Sequence, residues 1–96
     1  MSGMEKQWLV YMLRCGDGTL YTGITDSLPR RLEQHRAGKG AKYTRGRSPL
    51  TLVYQEACAD HSQALRREIA IKRLPRAKKL ELCEFNMEKG SFPLRR

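Results

Sequence analysis

Five polar side chains with the chemistry of a phosphodiester site are spread along the first three quarters of the chain. They are two tyrosines in short apolar runs, an arginine and a histidine on one predicted helix, and a later glutamate: Tyr11, Tyr21, Arg31, His35 and Glu68. A planar guanidinium matches phosphate oxygens in a bidentate way, and an imidazole accepts a proton near neutral pH. A tyrosine hydroxyl can orient or deprotonate a water. Their joint occurrence predicts a site that acts on phosphodiester bonds.

Each of these side chains also has a structural interpretation, and the sequence leaves it open. Strand tyrosines are usually core aromatics with a hydroxyl near the surface, and His35 could simply pack against its own helix. A carboxylate at the edge of an apolar stripe is costly unless it is paired or binds a cation. Glu68 could therefore bind a metal, or it could form an ordinary ion pair with Arg67, Lys72 or Arg31.

The charge of the chain indicates a polyanionic partner. Nineteen Lys and Arg side chains against ten Asp and Glu give a net charge of +9 and a pI near 10.0 in 96 residues. A fold does not need this imbalance, so it favours nucleic acid as the partner. The acidic residues form no D-x-D or D-x-E cluster, which argues against a two-metal site held by several carboxylates.

Other classes of protein are disfavoured by composition. The longest uncharged apolar stretch, residues 8–13, is far shorter than a membrane span, and no signal peptide is visible. We therefore expect a cytoplasmic protein without a membrane partner. Cys15, Cys58 and Cys83 are widely spaced and odd in number, which predicts free thiols. Cys58 and His61 form a lone C-x2-H, which we interpret as incidental because no second ligand pair has matching spacing.

The elements that must position the site follow from hydrophobic patterning. In chain order we predict strands over 8–15 and 20–25, followed by a helix that begins at Asp26 or Ser27 and is ended by Gly38 and Gly40. A basic loop over 39–47 and a strand over 50–56 come next. A helix capped by Asp60 runs to about Leu74, another helix begins at Arg76, and a loose tail begins at Asn86.

Two of these elements carry a predicted buried side. In the third strand, Leu50, Leu52 and Tyr54 alternate with more polar neighbours, which predicts that they share a face. In the helix after Asp60, the apolar stripe is predicted from Leu65, Ile69 and Lys72, with Glu68 at its edge or within it, and Gln63 completes a variant capping box with Asp60.

The turn between the first two strands decides whether the tyrosines meet. A two-residue Asp17-Gly18 loop pairs Arg14 with Tyr21 and places the tyrosines on opposite faces. A three-residue loop that includes Gly16 pairs Leu13 with Tyr21 and places them on the same face. Local signals do not choose between these loops. They also leave open whether the third strand pairs parallel or antiparallel.

These residues resemble the GIY-YIG nuclease superfamily. Leu9-Val10-Tyr11 stands where the family has Gly-Ile-Tyr, and Tyr21-Thr22-Gly23 stands where it has Tyr-Ile-Gly across a short hairpin. Arg31 and Glu68 fall at the positions of the family's catalytic arginine and metal-binding glutamate, and His35 falls where some members carry histidine. Leu9 and Thr22 depart from the motif, and Ile24 replaces a lysine of excision-repair members. The resemblance covers roughly residues 8–83, and the chain is similar to the small stand-alone bacterial members of the family.

The resemblance implies an α/β (α+β) fold, with a small three-stranded antiparallel sheet flanked by about three helices in one domain over 1–96. It favours the three-residue turn, because the family places both tyrosines in one site. It also implies a role for each residue: Tyr11 as general base with His35 assisting, Tyr21 orienting water or phosphate, Arg31 stabilising the phosphate charge, Glu68 holding one Mg²⁺ or Mn²⁺, and Gly23 allowing close backbone approach.

Three functions follow as hypotheses. The leading one is a metal-dependent endonuclease that acts on DNA, with DNA repair as its setting and a monomer assumed. The alternative is a non-catalytic basic module that binds nucleic acid through Lys39, Lys42, Tyr43, Arg45, Arg47 and Lys72, with Lys78 and Lys79 as a second patch. A protein-interaction adaptor that uses the helices of residues 60–83 is the third.

Overall fold

The computed structural model of the chain describes residues 7–88, and it describes side chains over 7–84. The strands are β1 (Leu9–Arg14), β2 (Leu20–Thr25) and β3 (Thr51–Ala57), and the helices are α1 (Leu28–Arg36), α2 (His61–Lys72) and α3 (Arg76–Glu88). The sheet has the order β2-β1-β3, and both pairings are antiparallel. The α+β fold with a three-stranded antiparallel sheet is confirmed.

The hairpin between β1 and β2 has the three-residue turn. Leu13 pairs with Tyr21, and the Cys15 amide donates to the Thr19 carbonyl at 2.8 Å to close the loop. Gly18, the last residue of the turn, has φ +87°, a left-handed conformation that glycine adopts without a steric penalty. The register therefore points both tyrosines to the same face of the sheet, as the resemblance implied.

Different helices cover the two faces of this sheet. The face covered by α1, which we call the α1 face, buries Tyr11, Leu13, Leu32 and Leu52, with Tyr21, Leu28 and Leu50 packed against them. The opposite face, the α2/α3 face, buries Val10, Met12, Tyr54, Cys58, Ala64, Ile71 and Cys83. Because β1 is central, its alternate residues contribute to both cores.

A β-bulge corrects the prediction for the third strand. The pairing of β1 with β3 shifts between Met12, which faces Tyr54, and Leu13, which faces Leu52. The extra residue, Val53, changes the alternation. Leu52 therefore lies on the α1 face and Tyr54 on the α2/α3 face, so the expectation that they share a face is wrong.

The predicted stripe of α2 is also wrong. Leu65 and Ile69 are 38% and 50% exposed, whereas Ala64 and Ile71 are completely buried. The small side chain at Ala64 faces the sheet, which lets the helix approach closely, and this rotates the larger pair outward. Glu68 then lies in the packed stripe between the two buried residues, since positions four and seven apart share a helix face.

The helix starts follow the predicted capping only in part. The Asp60 carboxylate accepts from the Gln63 amide at 2.8 Å, which confirms its role as the cap of α2. Ser27 is the N-cap of α1 but makes no side-chain cap bond. Instead, the Thr25 hydroxyl oxygen accepts from the Ser27 amide at 3.0 Å.

The remaining predictions concern the chain's end and its cysteines. Helix α3 continues through Asn86 to Glu88, so the loose tail does not begin at residue 86, and its later part lies outside the described residues. Cys15, Cys58 and Cys83 are free, as predicted, and all three are buried. Over residues 7–88, no helix has both the length and the apolar character needed to cross a membrane.

Candidate active site

The two tyrosines of the hairpin form the base of the site. Their ring centroids lie 6.2 Å apart, with Tyr11 completely buried and Tyr21 half-buried. Gly23 makes this approach possible: a Cβ there would lie 2.8 Å from the Tyr11 hydroxyl oxygen and 3.0 Å from Tyr21 Cε2. Any side chain at this position would require the rings to move.

Helix α1 brings Arg31 and His35 to the tyrosines. The Tyr11 hydroxyl and His35 Nε2 are 2.8 Å apart, and the His35 ring also lies 5.4 Å from the Tyr21 ring between centroids. Arg31 lies near enough to both tyrosine side chains to interact with them electrostatically, and its Nη1 donates to Gln34 Oε1 at 3.0 Å. The structure thus brings four of the five predicted residues into direct contact.

The environment sets the charge of each member of this group. Burial raises the pKa of Tyr11 well above its ordinary value, against the opposing effect of Arg31. Burial, followed by the positive charge of Arg31, lowers the pKa of His35 to about 4. Although burial opposes the charge of Arg31, its hydrogen bonds to the tyrosines raise its pKa. At neutral pH the site therefore holds a protonated phenol, a neutral imidazole and a guanidinium cation.

Arg31 also faces solvent. A cleft of about 330 Å³ opens beside it, lined by Trp8, Ile24, Thr25, Asp26, Arg30, Arg31, Gln34 and His61. The guanidinium therefore lies between the buried tyrosines and a surface depression. A phosphate that enters from this side can contact it without unfolding the core.

Glu68 occupies a different position from the other four. It lies on α2, which packs against β2 and β1 from the side of the sheet opposite to α1. Its side chain is 17% exposed, and the partner described for it is Lys72, whose Nζ lies 3.3 Å from Oε2. Of the three pairings that the sequence allowed, the one with Lys72 is present.

Glu68 suits a cation that needs few protein ligands. Among the described residues, no three or more His, Cys, Asp or Glu side chains are grouped closely enough to hold a metal. Mg²⁺ keeps several waters and commonly binds through one or two carboxylates together with substrate phosphates. A single, largely buried carboxylate fits this class of ion. The other pair considered as metal ligands, Cys58 and His61, has different partners. The Cys58 thiol contacts the Glu56 carbonyl, and His61 packs on Trp8.

The basic loop borders the tyrosines. Lys39, Lys42, Tyr43 and Arg45 are exposed, and Arg47 is half-buried. Residues 42–44 form a short 3₁₀ helix that the sequence did not predict. The Tyr43 ring lies 5.8 Å from the Tyr21 ring between centroids, and the Arg47 guanidinium lies 4.5 Å from the Tyr43 ring centre. The loop thus extends a positive surface up to the site.

This surface continues onto α3. A cleft of about 200 Å³ is lined by Thr19, Leu20, Tyr43, Arg76 and Lys79. Arg76 Nη2 donates to the Gly18 carbonyl at 2.9 Å, which holds the start of the helix against the hairpin turn. Lys79, predicted in a separate patch, therefore adjoins the loop. Lys78 pairs with Glu81, and Lys72 is exposed on α2 beside Glu68.

Sequence reasoning missed two residues behind His35. The Thr44 hydroxyl oxygen lies 2.9 Å from His35 Nδ1, and Thr44 is only 2% exposed although it lies in a loop rich in basic residues. Gly40 passes so close to the imidazole that an added Cβ would collide with it. A lone threonine in a basic loop gives no pattern that points inward, so only the fold reveals this contact.

A sequence model of the GIY-YIG catalytic domain matches residues 7–81 of the chain. The chain belongs to the GIY-YIG family. This family comprises nucleases that generally depend on divalent metals, so the domain implies a nucleic-acid substrate.

Relatives of the same size support the assignment to GIY-YIG. A UPF0213 protein of Oceanobacillus iheyensis is 51% identical over 82 residues, which is 85% of this chain and 95% of the relative. One from Halobacterium salinarum is 54% identical over 70 residues, 73% of this chain and 91% of the relative. The NMR structure of a UPF0213 protein of Bacillus halodurans has a TM-score of 0.54 at 46% identity, covering 82% of this chain and 84% of that one. A solved protein of E. faecalis has a TM-score of 0.56 at 34% identity, covering 96% and 92%.

Proposed function

We propose that this chain is a divalent-metal-dependent endonuclease that hydrolyses phosphodiester bonds in DNA. The observation that carries the proposal is the contact of the buried Tyr11 hydroxyl with both a neutral imidazole and a guanidinium, His35 and Arg31. A phosphodiesterase must activate a water and stabilise charge on phosphorus. These groups supply both functions within one cluster.

Arg31 supports the phosphate in this proposal. The partners that the structure describes for it are the two tyrosines and Gln34, which are neutral groups, and it lines a cleft that is open to solvent. A guanidinium in this position can donate to two phosphate oxygens and stabilise the charge that develops on them. Tyr21, in contact with the same group, orients the water or the phosphate.

Tyr11 and His35 act together on the water. Because its pKa is raised, Tyr11 stays protonated at neutral pH and cannot act as a base while it keeps its proton. Tyr11 therefore accepts the proton of a water while it passes its own proton to His35 Nε2. The charge of Arg31 is one of the two causes that lower the pKa of His35. A bound phosphodiester next to Arg31 offsets that charge, so substrate binding makes His35 a better base.

Glu68 is the residue that would hold the metal, with Lys72 released from its ion pair toward the substrate. When bound, Mg²⁺ or Mn²⁺ supplies Lewis-acid stabilisation of charge on the phosphate oxygens. The basic loop of Lys39, Lys42, Tyr43, Arg45 and Arg47 binds the flanking strand, largely through phosphates.

A non-catalytic nucleic-acid-binding module is the alternative. The exposed basic loop with its tyrosine supports this alternative as well as it supports a nuclease. The two functions differ in what they require beneath the surface. Binding through a charged loop needs no buried phenol in contact with a neutral imidazole. Because this chain buries both the Tyr11 hydroxyl and the His35 imidazole to form that contact, we prefer the nuclease.

The test is a nicking assay on supercoiled plasmid with Mg²⁺, Mn²⁺ or a chelator, run beside a structured RNA of similar length. Nicks should appear with either metal and disappear with the chelator, and DNA should be the preferred substrate. Glu68→Gln should abolish cleavage and leave DNA affinity unchanged or slightly higher, since it removes a negative charge.

Glu81→Gln is the matched control for that variant, because Glu81 is an exposed glutamate that also pairs with a lysine of its own helix, Lys78. It should cleave as the wild type does. Wild-type cleavage by pure Glu68→Gln would refute the metal role of Glu68. Binding by the wild type without any metal-dependent nicking, on duplex, branched or single-stranded DNA, would leave the binding module as the function.

A further inference from the structure

We infer that Thr44 fixes the tautomer of His35, so that Nε2 is free to accept the proton of Tyr11, and that Thr44 is thereby a positioning residue of the active site. The second part of this inference rests on the proposed nuclease function. The first part concerns the free protein and stands on the hydrogen bonds around one imidazole.

The hydroxyl of Thr44 has two partners that differ in what they can do. It lies 2.9 Å from the Ala41 carbonyl oxygen and 2.9 Å from His35 Nδ1. A carbonyl oxygen can only accept, so the single hydroxyl proton goes to Ala41. The Thr44 oxygen is then left as an acceptor, and the group that faces it must donate. His35 Nδ1 therefore carries the ring proton.

The other ring nitrogen follows from this assignment. A neutral imidazole has one donor and one acceptor nitrogen, and the lowered pKa of His35 keeps the ring neutral at pH 7. With the proton on Nδ1, Nε2 holds a lone pair, and it faces the Tyr11 hydroxyl at 2.8 Å. The hydrogen bonds thus run in one direction, from Tyr11 to His35, from His35 to Thr44, and from Thr44 to Ala41.

Burial makes this arrangement decisive. Tyr11, His35 and Thr44 are 0%, 2% and 2% exposed, so water cannot easily replace a lost partner. All buried side-chain nitrogen and oxygen atoms of the described residues have a hydrogen-bond partner. If Nδ1 lost its acceptor, the ring proton would be more stable on Nε2, where it would point at the Tyr11 oxygen. The phenol could then no longer pass its proton to the ring.

Gly40 provides independent support for a close, specific contact between this loop and the imidazole. Its Cα lies so near His35 that a Cβ would overlap the ring at Nδ1 and Cγ. The loop therefore passes close to the Nδ1 side of His35 before it reaches Thr44. The turn itself does not need the hydroxyl, because the Thr44 amide also donates to the Ala41 carbonyl at 3.0 Å.

The experiment is long-range ¹H–¹⁵N NMR of the free protein at pH 7, which distinguishes the two tautomers of a neutral imidazole. The chain has two histidines, so His61→Gln assigns the spectrum. The wild type should show the proton on His35 Nδ1. Thr44→Val, which keeps the shape and removes the hydroxyl, should move the ring toward the Nε2–H form, and Thr44→Ser should restore the wild-type spectrum.

The same variants are then compared in single-turnover cleavage. Thr44→Val should lower the rate about 10–100-fold, as is typical when the partner that orients a metal-ligating histidine is removed, with DNA affinity unchanged and Thr44→Ser largely active. A wild-type ring protonated on Nε2 would overturn the inference, and this measurement needs no variant to fold. An unchanged tautomer in folded Thr44→Val would overturn it as well. A protein that cuts no substrate but shows the Thr44-dependent tautomer would refute the nuclease and support the Thr44 assignment.

Discussion

The two faces of the sheet carry a similar three-part arrangement, but one group is neutral and the other has a net positive charge. On the α1 face, a buried tyrosine contacts a histidine and an arginine: Tyr11, His35 and Arg31. On the α2/α3 face, the buried Tyr54 donates to Glu56, which accepts from Arg67 Nε at 2.9 Å and 3.2 Å through its two oxygens. Each arrangement joins a phenol on a strand to a guanidinium on a helix.

The third member decides what each group can do. Glu56 neutralises Arg67, and the hydrogen bond to this carboxylate is the main cause that raises the pKa of Arg67. Burial, followed by the hydrogen bond to Glu56, raises the pKa of Tyr54 to about 12. The group is a closed ion pair that braces β3 against α2. On the α1 face the third member is a neutral base, so the positive charge of Arg31 is not neutralised within the group and remains available to an anion.

The largest expected difference lies between the two tyrosines. Tyr11→Phe removes the group that accepts the water proton, and we expect the rate of single-turnover cleavage to fall ~10²–10⁴-fold, the range for loss of general acid–base catalysis. Tyr54→Phe removes a phenol in the same sheet but outside the site, and its rate should stay near that of the wild type.

Stability provides the control for this pair. Tyr54→Phe loses a hydrogen bond to a charged group, so its free energy of unfolding should fall by about 1.5–3 kcal/mol. Chemical denaturation of both variants checks that the rate loss of Tyr11→Phe does not reflect unfolding. Equal loss of rate in both variants would show that the rate follows the integrity of the sheet, and the distinction between the faces would fail.

The two arginines give the next largest difference. Arg31→Ala should lower the cleavage rate ~10²–10³-fold, the typical cost of one charge-stabilising donor, and it should reduce the salt dependence of DNA binding, because one phosphate contact is lost. Arg67→Ala breaks a partly exposed ion pair and should cost about 1 kcal/mol or less of stability, with no change in salt dependence. Unaltered cleavage by Arg31→Ala would remove Arg31 from the site.

Much of the α1 face could be predicted from the sequence because its signals are local. The apolar runs on either side of a glycine-rich turn predict the hairpin, and helical spacing places Arg31 and His35 on one side of α1. The register was the exception. Asp17-Gly18 and Gly16-Asp17-Gly18 are both acceptable turns, and the family resemblance rather than the local pattern favoured the longer one.

Features that depend on contacts distant in sequence were missed or wrong. The bulge that separates Leu52 from Tyr54 arises from pairing with β1, and the rotation of α2 that buries Ala64 arises from how closely that helix can approach the sheet. Thr44 reaches His35 only because a short 3₁₀ helix turns it inward. None of these has a periodic signal. The convergence of Glu68 with the tyrosines stays a prediction, because its described partner is Lys72.

The smallest expected effect is a pH dependence confined to the α1 face. The pKa of His35 is about 4 in the folded protein and about 6.5 in an unfolded chain. Between these values the unfolded state binds more protons, so the free energy of unfolding is highest above pH 6.5 and decreases as the pH falls toward 4. Denaturation of the wild type and His35→Gln across pH 4–7 should isolate this contribution, because the variant lacks it and keeps the other titrating groups.

The His35 pKa also distinguishes the arginines of the two faces, because Arg31 is the second cause of its low value and Arg67 is not a cause. In an NMR titration, Arg31→Gln should raise the midpoint of His35 while burial holds it below 6.5, and Arg67→Gln should leave it unchanged. The pH range over which stability is lost should narrow in Arg31→Gln alone. If the midpoint of His35 lay near 6.5 in the wild type, the imidazole would be largely solvated. The buried, directed contact from Tyr11 through His35 to Thr44 would then not exist in solution.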